Sequence, residues 1–261
     1  MPIPWTPAIR EFVLAFADDE HLMGQQHTEW IGVAPFLEED LAFCSIGQDE
    51  LGHAASLSAI VIGEGDPTGA SGPSVDNRAI DSVAFDRNPG RWRSCNLVEM
   101  PTQDWAHALV RHWLYDSAEQ LRWELISESK LASLAEAAVR AEREEWFHRR
   151  HADGLLDILM PDPTAGDVLR SALADLMPVA VGMFDPVIGE AAAIEAGVTA
   201  APFDSRLPLW IDLVRDRFDI DPVLDDRAAS IQQHRTVRSE HFENLLSRMC
   251  EVLDLDPAAI W

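Results

Sequence analysis

Residues 134–159, LAEAAVRAEREEWFHRRHADGLLDIL, decide the fold. Leu134, Ala138, Ala141, Glu145, His148, Ala152, Leu155 and Leu159 follow one another at alternating steps of four and three, the period of one helix face. The stripe is apolar except at its centre, where Glu145 and His148 interrupt it. A second stripe has the same composition: Phe43, Ile46, Glu50, His53, Leu57 and Ile60, with Glu50 and His53 in QDELGH. Burying a carboxylate without a partner costs several kcal/mol, roughly as much as a whole salt bridge can return, so four ionisable groups in two core stripes require partners. They could satisfy one another, or pair with arginine. A metal cluster would satisfy all four at once.

Working outward, residues 7–31 and 37–62 read as a first and second helix, separated by the Gly32–Pro35 break. A Gly-, Pro-, Ser- and Asp-rich stretch at 63–100 is too long for an ordinary helix connection and reads as a crossover loop. A third helix is expected from Pro101, with Thr102 as N-cap, to Ile126, then a short turn near Ser129 and Lys130, then the fourth helix to Met160, where Pro161-Asp162-Pro163 stops it. Further helices are expected at 165–180, 205–217 and 224–254. No segment alternates with the period of a strand. Two short-loop helical hairpins joined by one long crossover give an all-α, ferritin-like four-helix bundle with additional C-terminal helices. The chain is expected to form one domain over 1–261, with its bundle core at about 7–160.

In di-metal carboxylate bundles two helices each supply one carboxylate and the other two each supply an E-x-x-H pair. Glu50/His53 and Glu145/His148 are two such pairs, although the spacing alone is weak evidence in a chain with 45 Asp and Glu and nine His. The third helix offers Asp116, in stripe with Ala106, Leu109 and Trp113. In an antiparallel hairpin it stands level with Glu145, whereas Glu119 falls about 4.5 Å off that level at about 1.5 Å per residue. For the first helix the expectation is Glu29, provided that an extended 32–36 segment climbs about 16 Å along the bundle. Asp18, Asp19 and Glu20 are the alternatives. The other histidines carry no comparable signal. Carboxylate and imidazole donors suit two iron ions, or manganese. Trp30, Trp113 and Trp146 lie next to or near these ligands, where they could line a pocket or fill the core.

The chain of 261 residues carries a formal charge of -25, which repels nucleic acid and anionic membranes alike. Neither is an expected partner. Its three cysteines, Cys44, Cys95 and Cys250, form no C-x-x-C pair and suggest neither a disulfide framework nor a zinc site. With no leader-like N-terminus and no apolar run of membrane-spanning length, the expected location is the cytoplasm.

These residues resemble a known family, the di-iron subunits of bacterial phenylacetyl-CoA epoxidase, the oxygenase of phenylacetic acid degradation. GQQHTEWIG, APFLEEDLAFCSIGQDELGH and EEWFH resemble its catalytic A-type chain; by motif that resemblance places Glu29, Glu50, His53, Asp116, Glu145 and His148 at the iron. The overall length, VEMPTQDWAHALVRHWLYD and HRTVRSEHFENLLSRMCEVLDLDPAAIW resemble the structural C-type chain, whose metal site has degenerated. A roughly nine-residue insertion that A-type chains carry before APFLEED is missing, and no coenzyme A-binding residue transfers by motif. The resemblance implies a di-iron monooxygenase or epoxidase that acts with O2 on an aromatic acyl-CoA or a related small organic molecule. Electrons would come from a separate reductase, and the chain would form a homodimer or a heterodimer with a related subunit. The alternative it implies is a non-catalytic structural partner in such a complex.

Overall fold

The computed structural model describes residues 3–63, 76–220 and 235–256. Helix α1 spans Pro7–Thr28; the Thr6 hydroxyl accepts from the Ile9 amide, and Pro7 occupies the first turn, where a missing N–H costs nothing. A turn containing Gly32 at φ +84° reverses the chain into α2, Leu37–Gly63, whose first turn carries Glu38, Glu39 and Asp40. Those acids complement the positive end of the helix dipole. The Asp40 side chain also accepts from the Gly32 amide at 2.6 Å, which ties the turn to the helix it starts.

The second hairpin is α4, Trp105–Ile126, and α5, Ala132–Leu159. Asp104, rather than the expected Thr102, caps α4 by accepting from the His107 amide. The described part of the crossover is not all loop: α3, Asn77–Phe85, and two short 3-10 turns occupy it. Beyond the hairpins come α6, Pro163–Ala180, α7, Glu190–Ala196, α8, Leu207–Phe218, and α9, Phe242–Leu255. Helix α7 was not expected from the sequence. The expected 224–254 helix lies outside the described residues over 224–234; of the rest, residues 235–241 form turns, with Arg235 at φ +55°, and the helix α9 begins only at Phe242. Among the described residues there are no strands, and no helix is long and apolar enough to cross a membrane. All three cysteines are free thiols.

Side-chain ties between α2 and α5 set their register: Ser56 to Arg140, His53 to Glu144, Asp49 to His148 and Glu39 to His151. One series descends as the other rises, so the helices are antiparallel and the two E-x-x-H pairs face each other. On the other side of α2, α1 approaches at Gly24 and Gly47. A Cβ on Gly24 would sit 3.0 Å from the Gly47 carbonyl oxygen and 2.9 Å from Leu51 Cγ. This close crossing brings α1 within ligand reach of Glu50.

Apolar packing lies above and below that level. One core joins Phe12, Phe16, Leu57, Trp123, Leu134 and Phe203. The other joins Leu109, Trp113, Leu156, Leu173, Trp210 and Phe242, and thereby fastens α6, α8 and α9 to the bundle. Trp210 donates its indole N–H to Ser117 Oγ at 2.9 Å, so this large ring is buried without an orphaned donor. Between the two cores the bundle interior is ionisable.

Candidate metal centre

Seven side chains from four helices converge in that layer: Glu20 from α1, Glu50 and His53 from α2, Asp116 and Glu119 from α4, and Glu145 and His148 from α5. They form three overlapping groups whose donor atoms lie within 4.8 Å of one another: Glu20, Glu50, His53 and Glu119; Glu50, Glu145 and His148; Asp116, Glu119 and Glu145. Each of these side chains is at most 4% exposed.

Of the six residues expected from the sequence, five meet here. Glu29 does not: it caps the C-terminus of α1, and its carboxylate pairs with Arg248 of α9. The turn after α1 coils instead of climbing along the bundle, so the helix that faces Glu50 presents Glu20. Glu119 also joins the group beside Asp116, because both lie on the inward face of α4 one turn apart. Asp18 and Asp19, the other acids of the run, are taken by arginines. Asp18 meets Arg87 and the Arg93 amide, and Asp19 bonds Arg122 at 2.5 Å and Arg235 at 2.6 Å. Trp30 and Trp113 donate to Thr102 and Asp153, while Trp146 faces solvent beneath Arg150.

The two histidines are oriented alike. His53 Nδ1 faces Glu20 at 3.3 Å and Glu145 at 3.7 Å, and its Nε2 lies 2.7 Å from Glu144. His148 Nδ1 faces Glu145 at 3.2 Å, and its Nε2 lies 3.2 Å from Asp49. Asp49 and Glu144 each immediately precede the Glu of the opposite helix's motif, so each helix orients the other's imidazole. A carboxylate behind Nε2 fixes a proton there, so the lone pair that loss of the Nδ1 proton would free is directed into the cluster. Sequence reading passed over both residues, although an acid directly before each motif Glu was visible. It also passed over His112, one helical turn before Asp116, whose Nδ1 lies 2.9 Å from the Asp116 carboxylate. Replacing Asp49 by Asn or Glu144 by Gln is expected to weaken metal binding about 10- to 100-fold each. A titration with Fe(II) or Mn(II) showing undiminished affinity in both would refute the orienting role.

Electrostatics describe a charge-frustrated layer. Burial raises Glu50 and Glu119 well above the ordinary carboxylate range, reinforced by neighbouring carboxylates; Glu145 is raised by burial as well. Glu20 goes the other way. Burial opposes its ionisation, but the facing His53, Glu119 and Glu50 side chains outweigh it and bring the group to about 2. Against the effect of burial, contacts with Glu20 raise His53 to about 9, and Glu145 and Asp49 raise His148 to about 11. Protons thus occupy the positions where cations would be most favourable.

Both oxygens of Glu50, of Asp116 and of Glu145, with Glu119 Oε2 and His148 Nδ1, are buried and meet no N–H or hydroxyl donor in hydrogen-bond geometry among the described residues. Leaving one such atom unpaired costs about 1–3 kcal/mol, and here they share one small space. Five carboxylates, two imidazoles and no thiolate make a donor set for a pair of hard or borderline divalent ions. The residues present fit such a pair.

Comparison with known proteins agrees with this architecture. The chain is 29% identical over 195 residues to the C subunit of 1,2-phenylacetyl-CoA epoxidase from Escherichia coli (strain K12), which covers 73% of each chain. It is 24% identical over 158 residues to the A subunit of that epoxidase from the same organism, covering 60% of this chain and 47% of the relative. The sequence model of the family described as phenylacetic acid catabolic protein matches residues 1–261. The chain belongs to the phenylacetic acid catabolic protein family.

Proposed function

We propose that the chain is a non-haem di-iron oxygenase subunit that activates O2 to oxygenate or epoxidise an aromatic acyl-CoA or a related small organic substrate in phenylacetate catabolism. The observation that carries this reading is the buried layer of five carboxylates and two imidazoles with unpaired donor atoms. Glu50, Glu119 and Glu145 each belong to two of the three donor groups, so these three are the carboxylates that could be shared between ions. Glu20 and His53 complete one position, and His148 with Asp116 or Glu119 the other. When bound, the iron pair supplies the activation of O2. The chain's own part is to hold that pair away from bulk water, to orient the imidazoles through Asp49 and Glu144, and to release the protons now held in the layer.

Several parts of the reading rest on kinship and composition. The relatives bear the name phenylacetyl-CoA epoxidase, which supplies the substrate class. Electrons would come from a separate reductase, since the sequence has no flavin or iron–sulfur motif. Because the relatives are subunits, a homodimer or a heterodimer with a related subunit is proposed, and the cytoplasm as its location. Manganese is the competing metal, since it accepts the same donors.

The test is metal content per chain after growth with iron, with the optical spectrum followed from anaerobic reduction to O2 exposure. Two irons per chain with an O2-dependent absorption change is the expected result. A chain that takes up neither Fe(II) nor Mn(II) refutes the oxygenase reading. The second reading, a non-catalytic structural partner, then stands, and the higher identity to the C-type relative favours it.

A further inference from the structure

The chain contains a single tyrosine, and it is at the centre's edge. Tyr115 on α4 is fully buried, and its phenolic O–H donates to Glu20 Oε1 at 3.0 Å. The same phenolic oxygen accepts from the Arg122 guanidinium at 3.2 Å. Arg122 in turn lies 5.3 Å from the centroids of both the Tyr115 and the Phe16 rings, and it is held in place by Asp19, which Arg235 also grips. A phenol is oxidised most readily when an acceptor for its proton is already hydrogen-bonded, because the proton and electron can then leave together. Glu20 is that acceptor, and as a cluster carboxylate it also provides a short route for the electron.

We infer that Tyr115 is a redox-active residue, which gives one electron to the O2-oxidised metal pair and its phenolic proton to the Glu20 carboxylate, becoming a neutral phenoxyl radical. The inference rests on the di-iron reading above. The balance is closed: one O–H bond breaks, the proton moves across a 3.0 Å hydrogen bond to Glu20, and the metal pair ends one electron more reduced. Arg122 keeps its hydrogen bond to the oxygen after the proton has gone, so the product is not left unsolvated. Trp123 is the competing donor, with its indole N–H 2.5 Å from Glu119. Its nitrogen has no such second partner among the described residues, so after loss of that proton only Glu119 would face it. A phenol ordinarily ionises only at about pH 10, so Tyr115 starts as a neutral O–H. Such a residue would accept an oxidising equivalent from the centre when no substrate is there to take it.

The experiment uses the full chain, loaded anaerobically with Fe(II) and counted for metal, then mixed with O2 without substrate and freeze-quenched from milliseconds to minutes. The readout is electron paramagnetic resonance. An organic radical whose hyperfine pattern collapses when the protein is grown on ring-deuterated tyrosine is the expected result. With one tyrosine in the chain, the label reports on Tyr115 alone, and no variant needs to fold. Tyr115→Phe, its metal content checked in parallel, should lose the signal. If two irons bind and O2 oxidises them, yet no radical forms at any time, or the radical responds only to deuterated tryptophan, the inference fails and the di-iron reading survives. If no iron binds, both fall.

Discussion

Replacing Glu50 by Gln is expected to abolish binding of both metal ions while leaving the metal-free protein as stable as before, or more so. Glu50 is the residue common to the Glu20–His53–Glu119 group and the Glu145–His148 group, so its loss depletes two positions together. The stability half of the prediction has the opposite sign from an ordinary core lesion. Burial and the neighbouring carboxylates raise Glu50 well above its ordinary range in the folded chain. The unfolded chain ionises that group at about pH 4.3. Between these two values the folded state carries the extra proton, so stability falls as pH rises, and at neutral pH Glu50 is a destabilising group. Gln reproduces the neutral form at the same volume and removes that penalty. Metal content by elemental analysis and unfolding of the metal-free protein in urea check the two halves. A variant that retains two ions removes Glu50 from the centre. One that loses the ions because the metal-free fold collapses makes Glu50 structural.

Asp19→Ala should act in reverse, with a large loss of stability and only a secondary effect on metal. Asp19 is fully buried and receives Arg122 at 2.5 Å, Arg235 at 2.6 Å and the Cys95 amide at 2.7 Å. Despite its burial, the two guanidiniums hold its carboxyl below the usual range. Truncation leaves two buried cations and one amide facing a void. Breaking a buried ion pair by removing one partner costs about 3–5 kcal/mol. In a chain of this size that lowers the melting temperature by on the order of 10 °C. Denaturant unfolding of metal-free Asp19→Ala against the parent checks it, and a loss below about 1 kcal/mol would show that the network relaxes around the gap.

The fold was legible because its information is local. Apolar spacing, proline stops and two connection lengths place α1, α2, α4 and α5 within a few residues. The E-x-x-H pairs were legible for the same reason, as polar interruptions of an apolar stripe. The first-helix residue was not, since it depends on the shape of the turn. With residues 30–36 coiled, the midpoint of an antiparallel pair formed with Glu50 falls at Pro35 when the partner is Glu20, inside the turn. Glu29 would have needed the same residues to be extended. The choice between Asp116 and Glu119 proved to be no choice, because residues three apart share a face and this layer has room for both. What lay beyond reading was the long-range pairing: nothing near Asp19 in sequence announces Arg235, 216 residues away.

Asp18, Asp19 and Glu20 are consecutive, and a helix turns each about 100° from the last. They therefore serve three masters: the crossover segment through Arg87 and Arg93, the C-terminal segment through Arg235, and the metal layer. Anchorage and the ionisable layer are thus neighbours on the chain, and among the described residues Arg122 is the cation that meets both Asp19 and Glu20. Substitutions at Glu50, Asp116 or Glu145 would therefore change the layer without removing a partner of the Asp18 and Asp19 ion pairs. On the proposed reading, a lineage of this architecture could surrender a metal pair and keep its shape, becoming a companion protein without ever passing through an unfolded ancestor.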